Sequence, residues 1–456
     1  MVRPSNSLLG RVLLSAPAVW AALDLDINND DSIKKAAALV AEDLMGYYNG
    51  EKPGEIPGLL PGPPPNSGDY YWWTGGLLWN TLIDYRNVTG DAKYTDSIVK
   101  GMAWQTGQKQ DFMPANYSLD MTNSDQAVWA NAALAAAMSG LPKPSSPDAA
   151  DWLQLARNVV TEQSLRAVNS NGTCSGALRW AVLPMNAGYN YLDTNSNAGH
   201  FALAAALAHE TKNDTLAKQA ASGYELMTKI GLIDDKFNVF DGIRDDCKAV
   251  NQQQFSQNAG LLLTGSAYML QQTNGDETWK KRVDGLVART LEVFFPNGVA
   301  KEVACEGSTV DCVTDMKLFK GMLHRGLGVT MQLAPHAKDK ILPVLKTSAA
   351  AAARTCANGK DQRLCSVYWA SNSNQKDGAT LGAAAQLDVL NALNSVLMAS
   401  VQSGGSSSGA AGGSGGNGDA GAAGAKKDGP GSMGTATSVS TAAVFGGLFL
   451  GVMALF

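Results

Sequence analysis

The chain has 456 residues, 36 Lys and Arg against 41 Asp and Glu, and a formal net charge of −5. With no basic stripe to neutralise phosphates, this balance excludes nucleic acid as a partner. The length exceeds one ordinary domain but suits a single large repeat-built one once both ends are set aside as processing signals.

Residues 1–21 read as a signal peptide. Arg3 and Arg11 bound a charged region, Val12 to Trp20 is apolar, and Val19 and Ala21 stand at the −3 and −1 positions of a cleavage site. Pro17 disfavours a buried N-terminal helix, and polar Asp24 and Asp26 follow at once.

From residue 22 to 402 strand-like alternation is scarce and helical spacing recurs. Twelve helices are predicted, at 31–48, 73–89, 91–108, 123–139, 147–168, 194–212, 214–230, 253–273, 275–293, 317–335, 338–355 and 378–402. In the first, Asp31 can cap while Ile33, Ala37, Val40 and Leu44 line one face. One junction repeats: Asn87-Val-Thr-Gly-Asp91, Thr211-Lys-Asn-Asp214 and Thr273-Asn-Gly-Asp276. Each places a Gly or Asn at a helix end, then an Asp able to cap the next helix. These Asp residues fall 123 and 62 positions apart, two periods and one of about 61. Six helical hairpins of that length, closing on themselves, make an all-α (α/α)6 toroid; an open solenoid is the alternative. The inner helices should be the more apolar, as Leu203, Ala204 and Leu207, and Leu261 to Leu263, suggest. A closed ring gathers the loops of one rim into a cleft.

Six cysteines in an exported chain suggest three disulfides: Cys305–Cys312 and Cys356–Cys365 as local pairs, leaving Cys174–Cys247. Without Cys-x-x-Cys or clustered His, neither a metal nor another cofactor is expected. Sequons at Asn87, Asn116, Asn171 and Asn213 agree with export.

The loops are rich in aromatic and amide residues. Tyr70 to Trp73 precede the second helix and Gly188-Tyr189-Asn190-Tyr191 the sixth. Asn123 to Gln126 open the fourth, Phe240-Asp241-Gly242 follow the seventh, and Gln254 to Asn258 open the eighth. Sugars present apolar C–H faces and dense hydroxyls, so their sites pair aromatic platforms with Asp, Asn and Gln. A single such residue reads as core; recurrence at one set of helix ends carries the argument.

Residues 403–432 hold no apolar side chain larger than Ala or Pro, and read as a flexible linker. Residues 433–456 end in an uncharged apolar tail from Thr441, short for a span and without a basic flank. Small residues, polar spacer and tail in that order form a glycosylphosphatidylinositol (GPI) anchor signal, with attachment between Asn417 and Ser432. A tail-anchored helix is the alternative.

From about Leu23 to Met398 the chain resembles the fungal cell-wall branch of glycoside hydrolase family 76, the endo-α-1,6-mannanases. The matching segments are Tyr71-Trp-Trp-Thr-Gly75, Leu82-Ile-Asp-Tyr85, Phe112-Met-Pro114, and Asn123-x-Asp-Gln126 with Trp129. Leu178-Arg-Trp180, Gly188-Tyr-Asn190, Gly231-Leu-Ile-Asp234, Val239-Phe-Asp-Gly242 and Asn258-Ala-Gly260 continue the series in order. The resemblance implies the toroid and a retaining mechanism on α-1,6-linked mannose. It also implies a wall role in which hydrolysis and transfer of GPI glycans to wall β-glucan are both open. In the family the fourth helix opens Asn-Asp-Asp-Gln, the first Asp being the nucleophile and the second the acid/base. The second maps onto Asp125 and the first onto Ser124.

A serine hydroxyl without an adjacent base is a poor nucleophile and cannot offset positive charge on the sugar. Three readings follow: a glycan-binding relative with little turnover, takeover by another carboxylate such as Asp120 or Asp241, or weak reaction through Asp125 alone. Ser124 also suits simple helix capping. Trp73, Gln126, Tyr189, Asn190 and Asp241 are the expected sugar contacts. The mature protein is expected to be a monomer, GPI-anchored at the outer face of the plasma membrane or in the wall. Its expected partner is α-1,6-mannan or GPI-glycan mannose.

Overall fold

The computed structural model describes residues 23–401 except 65–66, 308–311, 360 and 371–380. The signal peptide (1–21), the linker (403–432) and the anchor region (433–456) lie outside the described residues. Among the described residues there are twelve α-helices: α1 (Asp30–Met45), α2 (Trp72–Thr89), α3 (Thr95–Trp104), α4 (Asn123–Met138), α5 (Trp152–Arg166) and α6 (Thr194–Thr211). They continue as α7 (Asp214–Lys229), α8 (Ser256–Gln272), α9 (Glu277–Phe294), α10 (Phe319–Leu333), α11 (Lys338–Arg354) and α12 (Ala383–Leu397). Each answers a predicted helix.

The even-numbered helices form a ring: α2 packs on α4, α4 on α6, α6 on α8, α8 on α10, α10 on α12, and α12 on α2. That last contact closes the (α/α)6 toroid and rules out the solenoid. The odd-numbered helices lie outside, α5 against α4 and α6, α7 against α6 and α8, α11 against α10 and α12. An inner helix meets neighbours on three sides, so it must be buried nearly all round. In α6 this holds from Thr194 to Ala208 with few exceptions, and its alanines let the ring close tightly. The outer helices keep one apolar stripe, as Trp279, Val283, Leu286, Val287 and Phe294 show in α9.

The capping expectations are corrected in detail. Of the expected caps Asp31, Asp91, Asp214 and Asp276, only Asp276 caps its helix, accepting from the N–H groups of Thr278 and Trp279. Asn213 caps α7 with Asp214 one residue inside, and Asn29 caps α1 with Asp31 in the first turn. Asp91 instead accepts the Tyr85 hydroxyl at 2.6 Å, while α3 starts later, after Tyr94, without a side-chain cap. In each miss a neighbouring residue had the extended backbone that a capping side chain needs, or another donor claimed the carboxylate.

A small antiparallel sheet stands between helices: β1 (Tyr191–Asp193), β2 (Gly242–Arg244) and β3 (Val250–Asn251), in that order. Leu192 pairs with Ile243 and Asp193 with Gly242. Cys174–Cys247 ties the segment before β1 to the β2–β3 turn, and Cys305–Cys312 and Cys356–Cys365 close local loops. All three disulfides are the expected pairs. Among the described residues no helix is long and apolar enough to cross a membrane.

Candidate active site

Every inner helix is entered by a long loop, and side chains at these entries meet across the ring. The Tyr70 hydroxyl before α2 accepts from the Ala384 N–H of α12. Phe255 before α8 packs edge-on against Phe319 at the start of α10. Ser256, the first residue of α8, donates through N–H and hydroxyl to Glu302. The inner N-termini therefore share one rim, where their unpaired N–H groups and dipoles favour anionic groups.

Within the rim, α4 begins with a reciprocal cap. Thr122 Oγ1 accepts from the Asp125 N–H at 3.1 Å, and Asp125 Oδ2 accepts from the Thr122 N–H at 2.9 Å. Asn123, the first helical residue, donates to the Arg179 carbonyl at 2.7 Å, and Arg166 of α5 donates to its amide oxygen at 3.0 Å. Below, Trp72, Trp129 and Phe112 stack in series and fix the approach of α2 to α4. The backbone that presents Asp125 is thus held from three sides.

Burial pushes the Asp125 carboxyl up to about 7, against the hydrogen bonds from Thr122 and with the Asp315 charge adding to the rise. Asp315 lies in the single 3₁₀ turn Asp315–Leu318 just before α10. Its Oδ1 accepts the Trp73 indole N–H at 3.1 Å. Burial also pushes this carboxyl up, to about 6, with the indole bond opposing. Two carboxyls at this rim, both raised toward neutrality by burial, suit proton transfer at a sugar.

The expected site residues are distributed unevenly. Ser124 is buried, its hydroxyl 2.9 Å from Thr122 Oγ1, and it lines the axial cavity with Leu77, Asn131, Asn195 and Gln257. That cavity, of about 40 Å³, is floored by Arg325, which donates to Asp84 at 2.6 Å. Trp73 is only 7% exposed, so it offers an edge rather than a platform. Gln126 is fully buried: its amide N–H donates to the Asp111 carbonyl and its oxygen accepts from Arg166. That amide holds α4 to the loop before it and to α5 and is not brought to the rim.

The remaining residues gather on the sheet side. The Arg179 guanidinium lies 4.5 Å from the Tyr189 ring centroid, covering one face of the half-buried ring. Asn190 is exposed, and its carbonyl accepts from the Asp245 N–H. Asp241 accepts from the Tyr191 hydroxyl at 2.6 Å and from Asn251 at 2.9 Å. Its charge acts on Asp193, the capping residue of α6, whose buried carboxyl stands at about 7. Asp120 is exposed in the turn before α4. The four sequon asparagines are exposed. Asp315 and Thr122 were missed. Thr122 was legible as the Thr-x-x-Asp form of a capping box, whereas nothing local marks Asp315.

Among the described residues no cluster of three His, Cys, Asp or Glu is placed to hold a metal ion. The family model for glycosyl hydrolase family 76 matches residues 32–407. Over 370 residues the chain is 37% identical to mannan endo-1,6-alpha-mannosidase DCW1 of Saccharomyces cerevisiae, covering 80% of each. It is 31% identical over 396 residues to mannan endo-1,6-alpha-mannosidase DFG5 of Candida albicans, covering 85% of this chain and 84% of the relative. Among solved structures, Dfg5 from Chaetomium thermophilum in complex with glucosamine superposes with a TM-score of 0.79 at 42% identity, covering 83% of this chain and 93% of that one. An inactive variant of an alpha-1,6-mannanase from Salegentibacter sp., in complex with alpha-1,6-mannotriose, gives 0.62 at 16% identity, a likeness of fold alone, over 80% of this chain and 99% of that one.

Proposed function

The chain belongs to glycosyl hydrolase family 76, and from that premise we propose that it cleaves α-1,6-linked mannose chains by a retaining mechanism at the inner-helix rim. The observation that carries this reading is Asp125: a carboxyl held by the reciprocal cap in the first turn of α4, at the inner-helix rim, and poised near neutrality by burial. In that state it can protonate the leaving oxygen and then, ionised, take a proton from the incoming hydroxyl. If the incoming hydroxyl belongs to another sugar, the same steps transfer the glycan. Mannose of wall mannan or of a GPI glycan is the proposed donor, and wall β-glucan the proposed acceptor.

The relatives' names support the mannan substrate. The signal-peptide and anchor-signal patterns of the sequence support secretion and GPI attachment at the outer membrane face or in the wall. Truncation after Ser432 should then release the protein into the medium; retention on washed membranes would contradict the anchor.

Ser124 favours a second reading, a wall-glycan-binding protein without turnover. Its hydroxyl is joined to Thr122 rather than to a base, so it has no activated lone pair to attack a sugar carbon. Incubation of the purified protein with α-1,6-mannan decides between the two. New reducing ends or transfer products that vanish in Asp125→Asn support catalysis; saturable binding without either supports the binding protein.

A further inference from the structure

We propose that Asp315 is the catalytic nucleophile of this enzyme, standing in from across the rim for the carboxylate that Ser124 lacks. The inference rests on the glycosidase reading above and names the residue that completes it.

A glycosidase working through a covalent intermediate needs two carboxyls flanking one sugar carbon. Asp125 supplies one, and the side chain beside it on α4 is a hydroxyl held by Thr122. The carboxylates weighed from sequence are placed otherwise. Asp120 is exposed. Asp241 is taken up by Tyr191 and Asn251 on the sheet, and the acid it acts on is Asp193. Asp315 is bonded to the Trp73 indole at the start of α2, the inner helix beside α4, and its charge adds to the rise of the Asp125 carboxyl.

The placement of Asp315 is not that of a structural ion. Its hydrogen bond comes from the Trp73 indole, and among the described residues no cation pairs with it. A half-buried carboxylate without a paired cation gives up part of its hydration, and such groups gather where a ligand or a reaction uses them. It is also firmly held. The Cys305–Cys312 disulfide closes the loop three residues upstream, and fully buried Leu318 anchors the turn downstream. Trp73 belongs to α2, adjacent to α4 in the ring, so the indole ties the nucleophile's loop to the helix beside the acid. One oxygen is oriented by that N–H, as a nucleophile requires.

The reaction then balances in two steps. A carboxylate oxygen of Asp315 attacks C1 of the mannose as the Asp125 proton passes to the glycosidic oxygen. The C1–O bond breaks, a β-mannosyl ester of Asp315 forms, and the leaving sugar departs with its hydroxyl. Asp125, now ionised, takes the proton of a water or an acceptor sugar hydroxyl, whose oxygen attacks C1. The ester bond breaks, and both carboxyls return to their starting states.

Two measurements test this on the full-length secreted protein. Inactivation of the wild type by a 2-deoxy-2-fluoro-α-1,6-mannobiosyl fluoride, followed by peptide mapping, should place the label on Asp315; a label on any other residue overturns the assignment. Asp315→Ala should hydrolyse a dinitrophenyl α-1,6-mannobioside on the order of 10³-fold more slowly than wild type. Azide should restore turnover in that variant and yield the β-azide, whereas Asp125→Ala with azide should yield the α-azide. Undiminished turnover in Asp315→Ala, an α-azide from it, or no azide product at all overturns the nucleophile and leaves the glycosidase reading standing. A wild type inert toward both mannan and the activated substrate removes that reading and the inference with it.

Discussion

At the third position of α4 a carboxylate accepts the Thr122 N–H and feels the helix dipole, and both favour its charged form. Burial outweighs them, and the Asp125 carboxyl stands at about 7 instead of 3.8. Between those two values the folded protein binds a proton that the unfolded chain releases. This residue's contribution to stability is therefore present at low pH and lost as pH rises from about 4 through about 7. Asp125→Asn removes that loss while giving up a capping interaction at every pH. The stability difference between variant and wild type should become more favourable to the variant from pH 4 to pH 8, on the order of 2 kcal/mol after allowing for its partial exposure. Denaturant titrations at the two pH values check this, and an unchanged difference would mean that the carboxyl is ordinarily ionised. Sequence pointed to Asp125 and Trp73 because both sit in short ordered motifs. It could not separate Gln126 from them, since a motif records that a residue matters and not which way its side chain turns. Asp315 lies 190 positions beyond Asp125 and comes to the same rim, bonded to Trp73 of α2, only because the ring closes.

The helices were legible because the inner ones carry apolar and small residues on several faces while the outer ones keep one apolar stripe. Their ends were less so: α3 is shorter than its apolar pattern, and the three-residue strands are too brief to show alternation. Close helix contacts are a further feature invisible to periodicity. Gly326 of α10 packs against Gly260 of α8, where an added Cβ would stand 2.5 Å from the Gly260 carbonyl oxygen. That atom is backbone, so the ring itself must open to admit it. Gly326→Ala should cost roughly 1–3 kcal/mol, readable as a lowered denaturation midpoint, and a neutral substitution would show that α8 and α10 can slide apart freely. The disulfides make a graded prediction. Cys174–Cys247 spans 73 residues and the local pairs 7 and 9. In the chain-entropy account, removing the long bridge with paired serines should cost about 4 kcal/mol and a short one about 2 kcal/mol. Reversal of that order would place the stabilisation in native contacts instead.

Across the whole molecule the buried carboxyls act together. Burial holds Asp125, Asp193 and Glu302 at about 7 and Asp315 at about 6, and raises Asp388 well above its usual range. Several of these acids sit at the starts of inner helices. Asp193 accepts from Ser196, Glu302 from Ser256 and Asp388 from Gly321. The fold thus caps its inner ring with acids that it also buries. All are raised, so each contributes stability below about pH 4 that is lost as pH climbs toward 7. The thermal midpoint should fall between pH 5 and pH 8; a midpoint that rises over that interval would contradict the burial of the rim acids. The closed ring was legible from one period and three junctions, because a repeat of helix pairs has few ways to bury its last face. What the rim does with a ligand was not, since cleft geometry depends on loops that carry no period. The most direct test of the account is a crystal structure of the Asp125→Asn variant with α-1,6-mannotriose. The account predicts the sugar across the inner-helix rim, one glycosidic oxygen within hydrogen-bonding reach of the residue 125 side chain and the adjoining C1 facing Asp315. A trisaccharide bound away from the start of α4, on the sheet or the outer helices, would contradict it.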